Sequence, residues 1–537
     1  SILALFAISS TAWSTSFTIE DGETETSAQT LATGETGTIN SGGTLTSGGD
    51  AISTSSGTQN ITVLNNGTIT VTGSNGAALY LEDHSGTGTF TNNGTITIGG
   101  GGDAVWIDEN SGTFTTSNTG TMTVTGTNTW GIWIDENSGT STVTNSGTIT
   151  TSGTTSYAIY SDTNTGTEDI TNSDTITTSG ASGYGMYSNA QQSGATSTLT
   201  NSGTITTSGN AAHGFYSLSD SGTSTFTNSG TITTSGVGSY AIYSDTNTGT
   251  STFINSGTIA VTGSSDGAFL LEDHSGTGTF TNNGTITIGG GGDAVWIDEN
   301  SGTFTTSNTG TMTVTGTNTW GIWIDENSGT STVTNSGTIT TSGTTSYAIY
   351  SDTNTGTEDI TNSDTITTSG ASGYGMYSNA QQSGATSTLT NSGTITTSGD
   401  SSFGIFSLNQ ASGGTETITN SGTITTSGYD GYAIRLHGNS GTENFTNSGT
   451  ITTSGTGAIG ITSSGNSGTS TILNSGILTT SGDYTRGMRS ETNSGTSTLT
   501  NSGTLTTSGA TSYGIYSTGN SGTETITNSG TITTSGS

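Results

Sequence analysis

Asn145-Ser146-Gly147-Thr148-Ile149-Thr150-Thr151-Ser152-Gly153 is one copy of a phrase that recurs through a chain of 537 residues. Its central apolar residue, Ile149, has counterparts at Leu45, Ile69, Ile96, Met122, Ile176, Ile205, Ile232, Ile259, Ile286, Met312, Ile339, Ile366, Ile395, Ile424, Ile451, Leu478, Leu505 and Ile532. After a first interval of 24 residues, every step between these 19 anchors is 26, 27 or 29. A period of this size marks a stacked solenoid, because one repeat cannot bury its own apolar face and needs neighbours on both sides.

The residues around the phrase show how one coil is built. Thr142-Val143-Thr144 alternates polar and apolar, Asn145-Ser146-Gly147 turns, and Thr148-Ile149-Thr150 alternates again. Thr151-Ser152-Gly153 turns a second time, Tyr157-Ala158-Ile159-Tyr160 forms a third extended segment, and residues 161–166 close the circuit. Three short strands with period-two alternation predict an all-β, right-handed parallel β-helix, a triangular β-solenoid of about 19 coils with about 27 residues each. Apolar residues never recur at helical spacing, and Thr, Ser and Gly are weak helix formers. An apolar residue stands six places before the anchor in 17 of 19 coils, Thr116 and Thr306 being the exceptions. Leu79, Val105, Ile132, Met186, Phe215 and Ile242 supply the third inward column.

Asparagine stands four residues before the anchor in 18 of 19 coils, including Asn92, Asn118, Asn145, Asn172, Asn201 and Asn228. The expectation is an Asn ladder at a corner, each amide bonding its counterpart one coil away, with a left-handed backbone tolerated there. Asn145-Ser146-Gly147 has Gly in the third place, so it is not a glycosylation sequon. Gly two residues before the anchor, replaced by Asp174 and Asp364, reads as a second position of positive φ.

Composition narrows the partners. Only 26% of residues are hydrophobic, and 38 Asp and Glu face three basic residues, Arg435, Arg486 and Arg489, for a net charge of −35. Nucleic acid and anionic membranes are repelled by such a surface. Cys and Pro are both absent, which suits a fold held by stacking and by uninterrupted ladders. Residues 1–14 read as a secretory-signal remnant or a capping strand, 15–36 as an N-terminal cap or lead-in coil, and 37–537 as the repeats. Beyond the first residues no run is apolar enough to span a bilayer, so membrane insertion of this segment is not expected. Residues 81–209 and 271–399 are identical over 129 positions, an offset of 190 that maps anchor Ile96 onto Ile286. Function therefore reads as scaling with length or valency.

Candidate chemistry is sparse. His84, His213, His274 and His437 do not recur at ligand spacing, and no nucleophile–base pair or phosphate loop is present, so an enzyme is not expected. The acids read as turn residues. Asp83, Asp108, Glu109, Asp135, Glu136 and Asp162 fall in one post-strand turn of successive coils, a column of like charge that Ca²⁺ could relieve; the alternative is a solvated acidic edge with no cofactor. Tyr80, Trp106, Trp133, Tyr160, Tyr187, Tyr216 and Tyr243 follow the third inward residue and read as an outward aromatic column. Small residues two positions earlier (Ala158, Gly185, Gly214) read as sharing that face. Such a stripe could stack on sugars, dock a second fibre, or simply stabilise itself. Thr flanks the anchor on both sides nearly throughout, and these flat arrays resemble the ice-binding faces of β-solenoid antifreeze proteins.

The phrase N-S-G-T-I-T-T-S-G followed by Y-A-I-Y-S or Y-G-I-Y-S resembles the degenerate repeats of Gram-negative autotransporter passenger domains and related surface adhesins, over about residues 37–537. That resemblance implies export, a right-handed β-helix and a role at the bacterial outer surface. The expected function is an extracellular structural or adhesive fibre acting by self-association or by contact with a glycan or abiotic surface; an ice-binding solenoid is the alternative.

Overall fold

The structure, a computed structural model, describes residues 16–264 and 267–536. The segment 1–14 expected as a signal remnant or cap lies outside the described residues. The described chain is an all-β parallel β-solenoid of about 19 turns and contains no helix. It divides into two compact units, residues 1–177 and 178–537.

In the first unit a representative coil comprises Thr140–Asn145, Thr148–Thr151 and Tyr157–Asp162. Each strand pairs in parallel with the strand one coil earlier: Val143 with Thr116, Ile149 with Met122, Ile159 with Ile132. The second unit repeats the scheme, with Phe226 beside Phe253, Ile232 beside Ile259 and Tyr216 beside Tyr243. Side chains on a strand alternate between faces, so Val143, Ile149 and Ile159 point inward together and are fully buried. Thr142, Thr148 and Thr150 take the outer positions. β-branched Thr and Ile suit this arrangement, since most strands are half buried and lie between two neighbours.

The two exceptional coils are explained by a swap within one strand. Where Thr116 replaces the usual apolar residue, Phe114 two places earlier turns inward and is fully buried. Its register partner in the preceding coil is Gly88. A Cβ on Gly88 would lie 2.4 Å from the Phe114 ring, so the missing side chain there makes room for the phenyl group. Phe304, Thr306 and Gly278 reproduce the swap in the second unit.

Two sequence expectations about the corners are corrected. The ladder asparagines do not adopt positive φ; they end the first strand with their side chains directed inward. Gly147 also lacks positive φ, and its role is close approach, since a Cβ there would meet the Gly120 carbonyl oxygen at 2.2 Å. Apart from Gly22 and Gly42 in the first two coils, left-handed backbone lies at other corners. One series follows the third strand, at Asp83, Glu109, Glu136 and Thr163 in the first unit and Asp273, Glu299, Glu326 and Thr353 in the second.

Candidate functional site

The core is unusually polar for a fold with so few apolar residues. Alternation places Ser141, Asn145, Thr151 and Ser161 inward beside Val143, Ile149 and Ile159, and all are buried. The Asn ladder solves most of the resulting hydrogen-bond problem. In the first unit the Nδ2 of Asn65, Asn92, Asn118 and Asn145 donates to the Oδ1 of the next asparagine at 2.7 Å in every case. In the second unit the same bonds run from Asn201 to Asn228 and onward to Asn528 at 2.7–2.8 Å. The six ladder residues named from sequence are thus structural, and each is fully buried.

A second buried amide column was not anticipated. Asn110 donates to Asn137 at 2.8 Å, and the Asn137 backbone N–H donates to Asn164 Oδ1 at 2.6 Å. In the second unit Asn439, Asn466, Asn493 and Asn520 form the equivalent series. The signal was present: Asn137-Ser138-Gly139-Thr140 repeats the Asn-Ser-Gly-Thr phrase eight residues before Asn145. His84 belongs to this column, its Nδ1 3.0 Å from Asn110 Oδ1, and burial lowers its pKa. His213 and His274 are buried as well, and desolvation alone pulls them down to about 3 and about 4.

Not all acids lie in turns, as the sequence reading had it. Glu168, Glu358, Glu416 and Glu443 are inward residues of the first strand and are fully buried. Each carboxyl has one oxygen hydrogen-bonded, as in Ser161 Oγ to Glu168 and Asn439 Nδ2 to Glu443 at 2.7 Å. Burial pushes Glu358 and Glu443 up to about 8 and Glu416 up to about 7, because a carboxylate loses its hydration there. These groups stay protonated well above the usual carboxylate range.

The outer face of the third strand carries the residues singled out as an interaction face. Tyr80, Trp106, Trp133 and Tyr160 stack along the first unit, with Trp106 and Trp133 centroids 4.6 Å apart and 10° from parallel. Tyr187, Tyr216 and Tyr243 continue the motif in the second unit at 4.8–4.9 Å. A second aromatic series lies three residues earlier in each strand: Trp130 and Tyr157 in the first unit, then Tyr184, His213 and Tyr240 in the second. The small residues between them do not share this face, contrary to simple alternation. The pairing ladder omits Gly131 and Ala158, and a Cβ on Gly131 would meet the side chain of anchor Ile149. That irregularity lets residues three apart point outward together. Ring faces within the column are consequently covered by other rings, and Tyr160, Tyr187 and Tyr216 are only 7–9% exposed. Edges rather than faces meet solvent.

The six acids proposed as calcium ligands separate into two columns. Asp108, Asp135 and Asp162 end the third strand in mutual register, whereas Asp83, Glu109 and Glu136 occupy the left-handed turn position that follows. Among the described residues no three His, Cys, Asp or Glu side chains converge to hold a cation. The strand-end column is tied to the aromatics: Tyr80 Oη donates to Asp108 at 3.2 Å, and Tyr350 Oη to Asp352 at 2.7 Å. Burial and then neighbouring carboxylates push the Tyr80 hydroxyl up. Partial burial raises Asp135 to about 6 and Asp298 to about 7, the latter helped by Asp325 next to it. In the outer column Glu109 hydrogen-bonds Asp83, which pushes Glu109 up to about 7 and Asp83 down.

Stacked three-sheet coils, ladders of buried amides and a face built from repetition define a parallel β-helix of the pectate lyase-like class. The family model of the BigA third pectate lyase-like domain matches residues 9–236 and, a second time, residues 216–442, and the chain belongs to that family. Neither a curated protein nor a solved structure shows a significant match to the chain.

Proposed function

We propose that this protein is a non-catalytic structural or adhesive solenoid, displayed outside a bacterial cell, that works by presenting one repeated face many times. The observation that carries the reading is the duplication: 129 identical residues recur at an offset of 190, and contacts on the third-strand face recur with them. Trp130 N–H donates to Asp103 at 2.7 Å and Trp320 N–H to Asp293 at 2.7 Å; Thr163 and Thr353 likewise bond Asp135 and Asp325. A unique catalytic cleft gains nothing from being copied, whereas a binding face gains avidity from each added copy. Membership in a family of β-helix domains agrees with a surface-type solenoid. The aromatic–acid face of the third strand is the contact surface in this reading, meeting glycans, abiotic surfaces or other copies through ring edges and carboxylates. The test is display of the chain on a non-adherent bacterium. Adhesion or clumping above that of cells displaying a Trp133→Ala, Tyr160→Ala variant supports the reading, and equal behaviour of the two overturns it.

Ice binding is the second reading, favoured by one observation. Thr121 and Thr148, and Thr123 and Thr150, are register partners on the second sheet, giving two parallel outward hydroxyl columns.

A further inference from the structure

Every arginine of this acidic chain falls on the third-strand face, within three successive strands of the second unit. Arg435 follows Phe406 in the outward column, Thr462 comes next, then Arg489, then Tyr516. Arg486 takes the other aromatic position of its strand, beside Tyr513 in register. The guanidinium of Arg435 lies over Phe403, Phe406 and Tyr432 at 5.1–5.6 Å, and that of Arg486 over Tyr516 at 4.8 Å. These are cation–π contacts, which hold a guanidinium without neutralising it. Arg489 forms the one ion pair among the described residues, with Glu491. Between Arg435 and Arg489 the strand Ile459–Ser464 has all six residues buried and places only the short Thr462 side chain between them. On its floor Thr462 is 1% exposed and its hydroxyl has no hydrogen-bond partner. Against the three cations stand Glu491 and Asp430, which accepts from Tyr432 Oη at 3.1 Å, so the patch stays net positive on a chain of net charge −35.

The same face carries the complementary charge elsewhere. Asp83, Glu109 and Glu136 project from consecutive turns in the first unit, and Asp273, Glu299 and Glu326 repeat them in the second. We propose that the Arg435–Arg486–Arg489 patch of one copy docks on this acidic column of a second copy. The proposal rests on the surface-fibre reading above and names its partner. Spacing supports it: neighbouring strands lie about 4.8 Å apart, so Arg435 and Arg489 are about 9.6 Å apart along the stack, as are Asp83 and Glu136. One hydrogen-bond spacing sets both periods, so patch and column match without distortion. The patch and the column are different surfaces, and such heterologous contacts do not close on themselves; they propagate into filaments or bundles. Each chain offers one cationic patch and two identical acidic columns.

The test uses the full chain and two variants. One carries Arg435→Gln, Arg486→Gln and Arg489→Gln; the other carries Asn or Gln at Asp83, Glu109, Glu136, Asp273, Glu299 and Glu326. Sedimentation velocity at low and high salt follows association, and circular dichroism melting verifies that each variant is folded. The expected result is concentration-dependent association of the parent that salt weakens, an association constant at least about tenfold lower for either variant alone, and recovery of a complex when the two variants are mixed. A parent that stays monomeric, an arginine variant that associates like the parent, or a mixture that fails to recover a complex overturns the proposal. Adhesion by displayed cells is scored separately, so loss of docking with adhesion retained removes this proposal and leaves the surface-fibre reading in place.

Discussion

Glu416 and Glu443 are register partners on adjacent strands of the first sheet, and neither carboxyl reaches solvent. Each keeps one oxygen without a hydrogen-bond partner, an arrangement tolerable only while the pair is largely uncharged.

Stability should therefore fall as pH rises. The folded-state pKa values, about 7 for Glu416 and about 8 for Glu443, stand above the ordinary value of 4.5, so the native state binds protons that the unfolded chain has released. This contribution is complete below about pH 4.5 and is lost progressively until the pH passes the folded values. Thermal melts across that window should show a falling melting temperature. Glu443→Gln should flatten the slope of unfolding free energy by up to about 1.4 kcal/mol per pH unit. An unchanged slope would remove the buried pair from the explanation.

The Gly88–Phe114 pair should behave as lock and key. Gly88→Ala places a methyl group against the Phe114 ring and should destabilise by about 1–3 kcal/mol. Phe114→Ser with Thr116→Val restores the pattern of neighbouring coils, and Gly88→Ala in that background should cost less than about 0.5 kcal/mol. Denaturant unfolding of the four proteins in the cycle measures the coupling.

Loss of one rung of the Asn ladder should be felt on both sides. Asn145→Ala leaves Asn118 without its acceptor and Asn172 without its donor, in a place water does not reach. A cost of about 2–4 kcal/mol is expected from two such groups. Asn145→Ser, which keeps a polar atom but not the reach, should recover less than half of it.

Face-directed variants separate adhesion from ice binding. Trp133→Ala with Tyr160→Ala should lower adhesion or clumping of displayed cells severalfold, and should also cost about 1–3 kcal/mol in stability, because the rings pack on each other. Trp133→Phe should retain most of the stability and so isolates the contact itself. Bulky replacements of Thr148 and Thr150 and their partners should leave adhesion unchanged. Thermal hysteresis that those replacements abolish would establish the Thr face as the working surface instead.

Ile149 and its counterparts made the coil legible, because an aliphatic residue kept in phase over hundreds of positions has no other physical explanation. Val143 and Ile159 followed from alternation alone. Three things were hidden. Ser141 and Glu168 share one inward column with Phe114, and nothing in a Ser, Glu or Phe considered singly marks it as interchangeable with the others. Asn137 is masked by the closing turn, where it follows directly on the acids Asp135 and Glu136. Trp130 escaped notice because strict alternation puts it on the opposite face from Trp133, and only the break in pairing at Gly131 brings the two rings to 4.4 Å. The acidic column was legible as a column, but its division into strand-end and turn positions depends on backbone conformation that composition does not record.

The identical segments have a genetic consequence. Excision of residues 81–270 would join Tyr80 to Leu271, and the seam would read Leu-Tyr-Leu-Glu, the same four residues as Leu79–Glu82 in the parent. Downstream of the seam, the next 129 residues would also be those that followed Tyr80 before. Every pairing of Leu79, Tyr80 and their successors within that stretch would find its accustomed partner, with no foreign junction for the fold to accommodate. Recombination between the copies can thus shorten or lengthen the protein in whole coils as a single event, so that the number of stacked coils becomes a trait that varies by copy number while each coil's chemistry stays constant.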